Sequence, residues 1–325
     1  MIVDCHAHLV PPDLLDTIRK DKARFPSVRQ IEDDGSLAFA FAGAKPTRPV
    51  SKPLSDLPAR LAWLKSQGID KQVVGGWVDM FGYELQGDEG EGWSRTIDDA
   101  LLATAKARPV FVPLATVPLG DGSRAAAVLK DAMNAGFSGA MIGTLPRGAG
   151  STLDHADLDP FWAAADETGA IVHIHPSFDA GDVRVNDYGL ANGLGRITDA
   201  AIALARLLCS GHPQKYKNAK FFAPMGAAAL PFVLGRLKRN AAITLGIGDP
   251  AEGLSLLYTD TILHDARVLK FVIEMIGTDR IMMGSDSPFP IGDMAPMQIV
   301  ADASITGAQA EAINGGLAQR LFRIA

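Results

Sequence analysis

Eight short, β-rich apolar runs recur along the chain, each followed by a longer segment of helical period: IVDCHAHL, DKQVVGGWV, PVFVPLATV, SGAMIGT, AIVHIHP, AKFFAPM, LSLLYTD and DRIMMGSD. Between them, segments such as SRAAAVLKDAMNAG and DPFWAAADETG combine Ala/Leu spacing with a closing glycine, the signals of a helix and its stop. Strands alternating with helices imply a parallel sheet, and eight such units imply an α/β fold closed as a (β/α)8 TIM barrel. An open doubly wound sheet is the alternative, but no G-x-G-x-x-G follows the first strand. Residues 24–57, rich in Pro, Gly and charge around LAFAFAG, interrupt the alternation. We expect a small insertion there, a hairpin on the first βα loop, within a single barrel domain spanning residues 1–325.

Apolar residues at 47% and charged residues at 21% allow a large buried core and exclude a disordered chain. A net charge of −6 without a dense Lys/Arg run argues against nucleic acid, so the expected partner is a small molecule. Two cysteines, Cys5 and Cys209, supply no disulfide framework and fit a reducing compartment. There is no basic segment followed by an apolar run at the N-terminus, and no stretch reaches the roughly 18 apolar residues of a membrane span. These features lead us to expect a cytoplasmic protein without a membrane partner.

Side chains alternate faces along a strand, so His6 and His8 of MIVDCHAHL point the same way. The pair falls at the C-terminal end of the first strand, where barrels of this kind place their active sites. By itself H-x-H fits two histidines that merely cap a strand end as well as it fits a ligand pair. HIHPSFD ends the fifth run with His175, and GSDSPFP ends the eighth with Asp286. Taken alone Asp286 also suits a helix N-cap, but all four residues face the same barrel mouth. Three imidazoles and one carboxylate suit one divalent ion, Zn²⁺ first and Mn²⁺, Fe²⁺ or Co²⁺ as alternatives. The chain is therefore expected to be a metal-dependent enzyme.

MIVDCHAHLVPPD, ARPVFVPLATVPL, HIHPSFD and LLYTDTILHDARVLKFVIEMIGTDRIMMGSDSPFP, with the spacing between them, resemble the amidohydrolase-superfamily branch of aminocarboxymuconate-semialdehyde decarboxylase, which also holds resorcylate, carboxyvanillate and iso-orotate decarboxylases. The resemblance covers nearly the whole chain. It implies that His6, His8, His175 and Asp286 bind the metal, that Asp286 passes a proton to the substrate, and that Arg48 and Arg236 grip a substrate carboxylate. It also implies a homodimer, because the family's counterpart of Arg236 comes from the other subunit. Read from the residues alone, Arg48 suits a solvated insertion charge equally well, and Arg236 beside Lys238 and Arg239 suits a helix surface.

One departure stands out. Where the family's sixth strand ends in A-H-x-G-G, this chain has FFAPMGAAALPF, with Met225 at the histidine's place. A thioether takes no proton and is a poor ligand for a borderline divalent ion. The implied activity is metal-dependent decarboxylation of a small planar aromatic or unsaturated carboxylic acid. Hydrolysis of a lactone, amide or C–C bond is the alternative, and a non-catalytic binding protein or weakly active member a further one. His173 is expected to be buried and hydrogen-bonded, His155 and His212 solvated, and His264 near the site's closure. Asp260 is a candidate orienter of a ligand histidine. Trp77 and Phe178 are candidate apolar walls for a flat substrate, like Trp93, with core packing the competing role.

Overall fold

The computed structural model describes residues 1–33, 35–148, 150–177 and 182–324. In chain order its strands are β1 (Val3–His8), β2 (Val28–Asp33), β3 (Ser36–Phe41), β4 (Lys71–Gly75), β5 (Phe111–Pro113), β6 (Gly139–Gly143), β7 (Ile171–His175), β8 (Lys220–Ala223), β9 (Tyr258–Asp260) and β10 (Ile281–Met282). β1, β4 and β5 pair in that order, as do β10, β9, β8, β7 and β6, every pair parallel. Parallel bridges Ala115 to Ala140 and Ala7 to Ser287 join the two sets into a closed ring. This is the expected barrel.

The insertion is a hairpin. β2 and β3 pair antiparallel from Val28 opposite Phe41 to Asp33 opposite Ser36. Phe39 and Phe41 present their rings to Trp93, 5.6 and 5.3 Å away between centroids. Trp93 also packs against Phe25 and donates its indole N–H to Met80 O at 2.7 Å. It is fully buried, so its role is core packing that fastens the insertion to the barrel.

Local chemistry sets the element boundaries. Asp121 accepts from Ser123 N and Arg124 N and so caps helix Gly122–Ala135, which Gly136 ends in the left-handed region at φ 107°. Gly139 opens β6 where a Cβ would stand 1.9 Å from Ile171 O, so only glycine lets β6 and β7 pair there. Several of the runs form shorter strands than their apolar length suggests, DRIMMGSD pairing only over Ile281–Met282. Leu254 and Ser255 belong to helix Pro250–Ser255, because Asp249 caps it through Ala251 N and Glu252 N. AKFFAPM leaves the sheet after Ala223, and PVFVPLATV pairs regularly only over Phe111–Pro113. His212 is a correction too. It is buried, hydrogen-bonded to Ser210 Oγ at 2.7 Å, with its ring 5.8 Å from Trp162, since imidazole packs as readily as it solvates. His155 is exposed as expected.

Beneath the C-terminal rim a buried polar layer ties the elements that will carry the site. Asp4 on β1 accepts from Gln72 Nε2 on β4 at 2.8 Å, and from Ser285 N at 2.9 Å and the Ser285 hydroxyl beyond β10. Arg60, from helix Leu57–Ser66, donates to Gln72 Oε1 at 2.9 Å and to His8 O at 3.0 Å. Burial brings its guanidinium down to about 10, against the pull of Asp4. No helix among the described residues is long and apolar enough to cross a membrane. Truncating Arg60 would leave Gln72 Oε1 and His8 O buried and unpaired. We expect Arg60→Ala to lower unfolding free energy by about 3 kcal/mol, read by urea denaturation.

Candidate metal centre

His6, His8, His175 and Asp286 each offer one ligand atom, and these atoms lie within 4.8 Å of one another. β1 supplies the first two on one face, β7 the third, and the turn after β10 the carboxylate. Asp286 adopts φ 56°, a left-handed conformation that Asp tolerates better than most residues. Its N–H donates to His6 O at 2.8 Å and His8 N–H donates to Ser287 O at 2.8 Å, so β1 itself fixes where the carboxylate sits.

Each imidazole is oriented through Nδ1. His6 Nδ1 meets Asp260 Oδ2 at 2.7 Å, His8 Nδ1 meets Gly76 O at 3.2 Å, and His175 Nδ1 meets Pro176 O at 2.9 Å. Carbonyl and carboxylate oxygens accept, so Nδ1 carries the proton and Nε2 presents a lone pair inward. His6 Nε2 and His8 Nε2 stand 3.6 and 3.1 Å from Asp286 Oδ1, yet all three atoms are buried without a hydrogen bond. Buried polar atoms that converge but do not pair are what a missing cation would satisfy, and this donor set fits a divalent one.

The electrostatics agree. Burial, reinforced by the neighbouring histidines, holds His175 well below the usual imidazole value. Burial also lowers His8, with Asp286 opposing. Both are thereby kept neutral and competent as ligands. For His6 burial acts downward most strongly, but the hydrogen bond to Asp260 and the charges of Asp286 and Asp4 outweigh it. Burial pushes the Asp286 carboxyl up, and His8, His6 and Arg196 together bring it below its ordinary value, so it is anionic.

Asp260 does more than hold His6. Its other oxygen accepts from Met225 N at 2.7 Å and Ile262 N at 3.2 Å. Met225, Gly226, Ala227 and Ala228 run through positive φ of 54°, 63°, 61° and 52°, a strained turn that Asp260 and Thr259 pin by its N–H groups. The turn brings Met225 to the wall of a cavity of about 360 Å³ that His6, His175 and Asp286 also line. Ile197, Ile262, Leu263 and Ile291 make the wall largely apolar, and exposed His264 stands at its rim.

The other expected residues are placed unevenly. Arg48 forms a fork with Asp79, at 2.9 and 3.0 Å, over the buried Trp77 ring, and lines a neighbouring cavity with Tyr83 and Ser177. Trp77 thus carries Arg48 and does not line the cavity of the histidines. Arg236 lies exposed on helix Leu230–Ile243, away from that cavity. Phe178 lies outside the described residues. His173 is buried, as expected, but neither ring nitrogen has a hydrogen bond; it packs edge-on to His6 at 4.3 Å and against Phe222 at 4.2 Å. Two polar residues of the cavity escaped the sequence reading, Asn192 and Arg196, along with its apolar wall. The signal for the second was an arginine at the head of an Ala/Leu-rich helical run, RITDAAIALARLL.

The family model described as amidohydrolase matches residues 3–324, and the chain belongs to that family. It resembles the 2-amino-3-carboxymuconate-6-semialdehyde decarboxylase of Dictyostelium discoideum, 25% identical over 311 residues, 92% of this chain and 84% of that protein. Among solved structures, the 5-carboxyvanillate decarboxylase of Sphingomonas paucimobilis matches 100% of this chain and 99% of its own at a TM-score of 0.82 and 23% identity. A dihydroxybenzoic acid decarboxylase from Polaromonas, with bound manganese and 2-nitroresorcinol, matches 99% and 97% at a TM-score of 0.77 and 20% identity. The structural likenesses bear out the barrel.

Asp260→Asn keeps an acceptor for Met225 N but offers His6 the wrong partner on one side. We expect it to weaken divalent-metal affinity about 10- to 100-fold, measured by competition with a chelating dye, with little change in secondary structure.

Proposed function

We propose that this amidohydrolase-family protein is a metal-dependent decarboxylase that removes carbon dioxide from a small planar aromatic or unsaturated carboxylic acid. The observation that carries the reading is the convergence of His6 Nε2, His8 Nε2 and Asp286 Oδ1, buried and unpaired, beside a small, largely apolar cavity. The decarboxylases it resembles support the reaction class. His6, His8, His175 and Asp286 would hold one divalent ion, zinc by preference for three nitrogens and a carboxylate, and when bound it supplies a Lewis acid and an anchor for substrate oxygens.

The rest falls to the chain's own side chains. Met225 and the isoleucines give a flat ring an apolar seat. Asp286 is anionic, so any proton it delivers must first be collected, and the acidic hydroxyl or enol of such a substrate is the nearest source. Asp286 then gives that proton to the ring carbon bearing the carboxylate. The C–C bond breaks, its electron pair restores the ring, and carbon dioxide leaves. Hydrolysis is the weaker reading, because Met225 cannot take a proton from water and His173 lies behind His6, outside the cavity lining. Arg236 is exposed on its own chain, which fits service to the site of a second copy in a homodimer.

Purified protein should carry about one equivalent of divalent metal, and the double variant His6→Ala/His8→Ala should carry none. Carbon dioxide should appear on incubation with a member of a panel of hydroxybenzoates, pyridine and pyrimidine carboxylates and muconate semialdehydes. New acid products without gas would instead establish hydrolysis.

A further inference from the structure

We infer that Asp199 is a positioning residue for the metal centre, acting on the ligand His175 through a single peptide group. The inference deepens the decarboxylase reading and rests on its metal centre.

The peptide between Pro176 and Ser177 is bonded at both ends. Its carbonyl, Pro176 O, accepts from His175 Nδ1 at 2.9 Å, and its N–H, on Ser177, donates to Asp199 Oδ2 at 2.8 Å. The peptide is trans, so its C=O and N–H point in opposite directions and the two bonds follow one dipole. A carboxylate drawing on the N–H leaves the carbonyl oxygen more negative and makes it a stronger acceptor for the imidazole. Asp260 serves His6 by direct contact at 2.7 Å, and Asp199 stands behind His175 in the same way, one amide removed.

Asp199 has bonds of its own that hold it there. It is buried in helix Arg196–Cys209 and accepts from the Thr144 hydroxyl just after β6. Ser177 N–H also makes a longer contact of 3.2 Å to Thr144 Oγ1. Burial pushes the Asp199 carboxyl up, and the Thr144 hydroxyl, the Ser177 N–H and the charge of Arg196 oppose it. Thr144 Oγ1 by itself would give the Ser177 N–H a partner. Burying a carboxylate as well costs desolvation, and what it adds is a charge aimed along the peptide at a metal ligand. A stronger acceptor at Nδ1 keeps the His175 ring in one tautomer and raises the basicity of Nε2. The helix also continues the turn that lines the cavity with Asn192, so a cavity wall and a metal ligand share one anchor.

The test is Co²⁺ binding by the purified protein, with affinity from competition with a chelating dye and the ligand field from the visible absorption of bound Co²⁺. Asp199→Asn keeps an acceptor and removes the charge, Asp199→Ala removes both, and Thr144→Val cuts the neighbouring bond between the same elements. We expect Asp199→Asn to weaken Co²⁺ binding about 3- to 10-fold and to shift the cobalt bands, less than the loss for a group bonded to the ligand itself. Asp199→Ala should do so at least as strongly, and if it does not fold the near-isosteric asparagine variant decides. Thr144→Val should lower the urea midpoint yet leave affinity within about twofold and the bands in place. Natural affinity and an unshifted spectrum in Asp199→Asn would overturn the inference. So would a Thr144→Val protein disturbed equally in both, since Asp199 would then be a packing bond only. A natural chain that binds no Co²⁺ would sink the metal centre and the inference together. Turnover is not read, so a protein that shows the Asp199 effect yet releases no carbon dioxide would sink the decarboxylase reading alone.

Discussion

Three imidazoles and an anionic carboxylate cannot be pressed together inside a protein without a reason. His6 and His8 are fully buried with Nε2 turned toward Asp286 Oδ1 and no hydrogen bond to relieve them. Leaving such atoms unpaired costs roughly 1–3 kcal/mol each. The surrounding structure works to maintain that unpaired convergence. Backbone bonds lock β1 to the Asp286 turn, Asp260 and two carbonyls fix the ring tautomers, and the Asp4–Gln72–Arg60 layer stiffens the strands underneath. A divalent cation at the centre is the one charge that turns these costs into binding.

Much of this was legible in the sequence because it depends on period. Alternation within a strand placed His6 and His8 on one face, and the alternation of strands with helices gave the barrel that brings His175 and Asp286 to the same mouth. Aligned glycines marked helix ends at Gly136 and Gly169, both left-handed in the structure. What escaped depends on contacts between distant segments. The Arg48 fork on Asp79 and the burial of His212 against Trp162 leave no local trace. A π-helical turn differs from an α-helical one by a single hydrogen-bond step, so the sequence did not reveal that Arg196 would face the cavity.

Met225 gives the site its particular character. The left-handed turn that carries it is fastened to Asp260, the same carboxylate that orients His6, so Met225 and His6 share one anchor. A thioether takes no proton, so Met225 contributes apolar surface to the cavity, and in the proposed reaction Asp286 carries the proton. Arg196 then supplies the polar end of a pocket that is otherwise greasy.

The central claim is geometric, and a crystal structure of the purified protein, with diffraction data collected on either side of the bound metal's absorption edge, tests it most directly. The account predicts one anomalous peak, about 2.0–2.2 Å from the Nε2 atoms of His6, His8 and His175 and from a carboxylate oxygen of Asp286. A protein grown with metal present that shows no peak there, or an ion held by other residues, would contradict it.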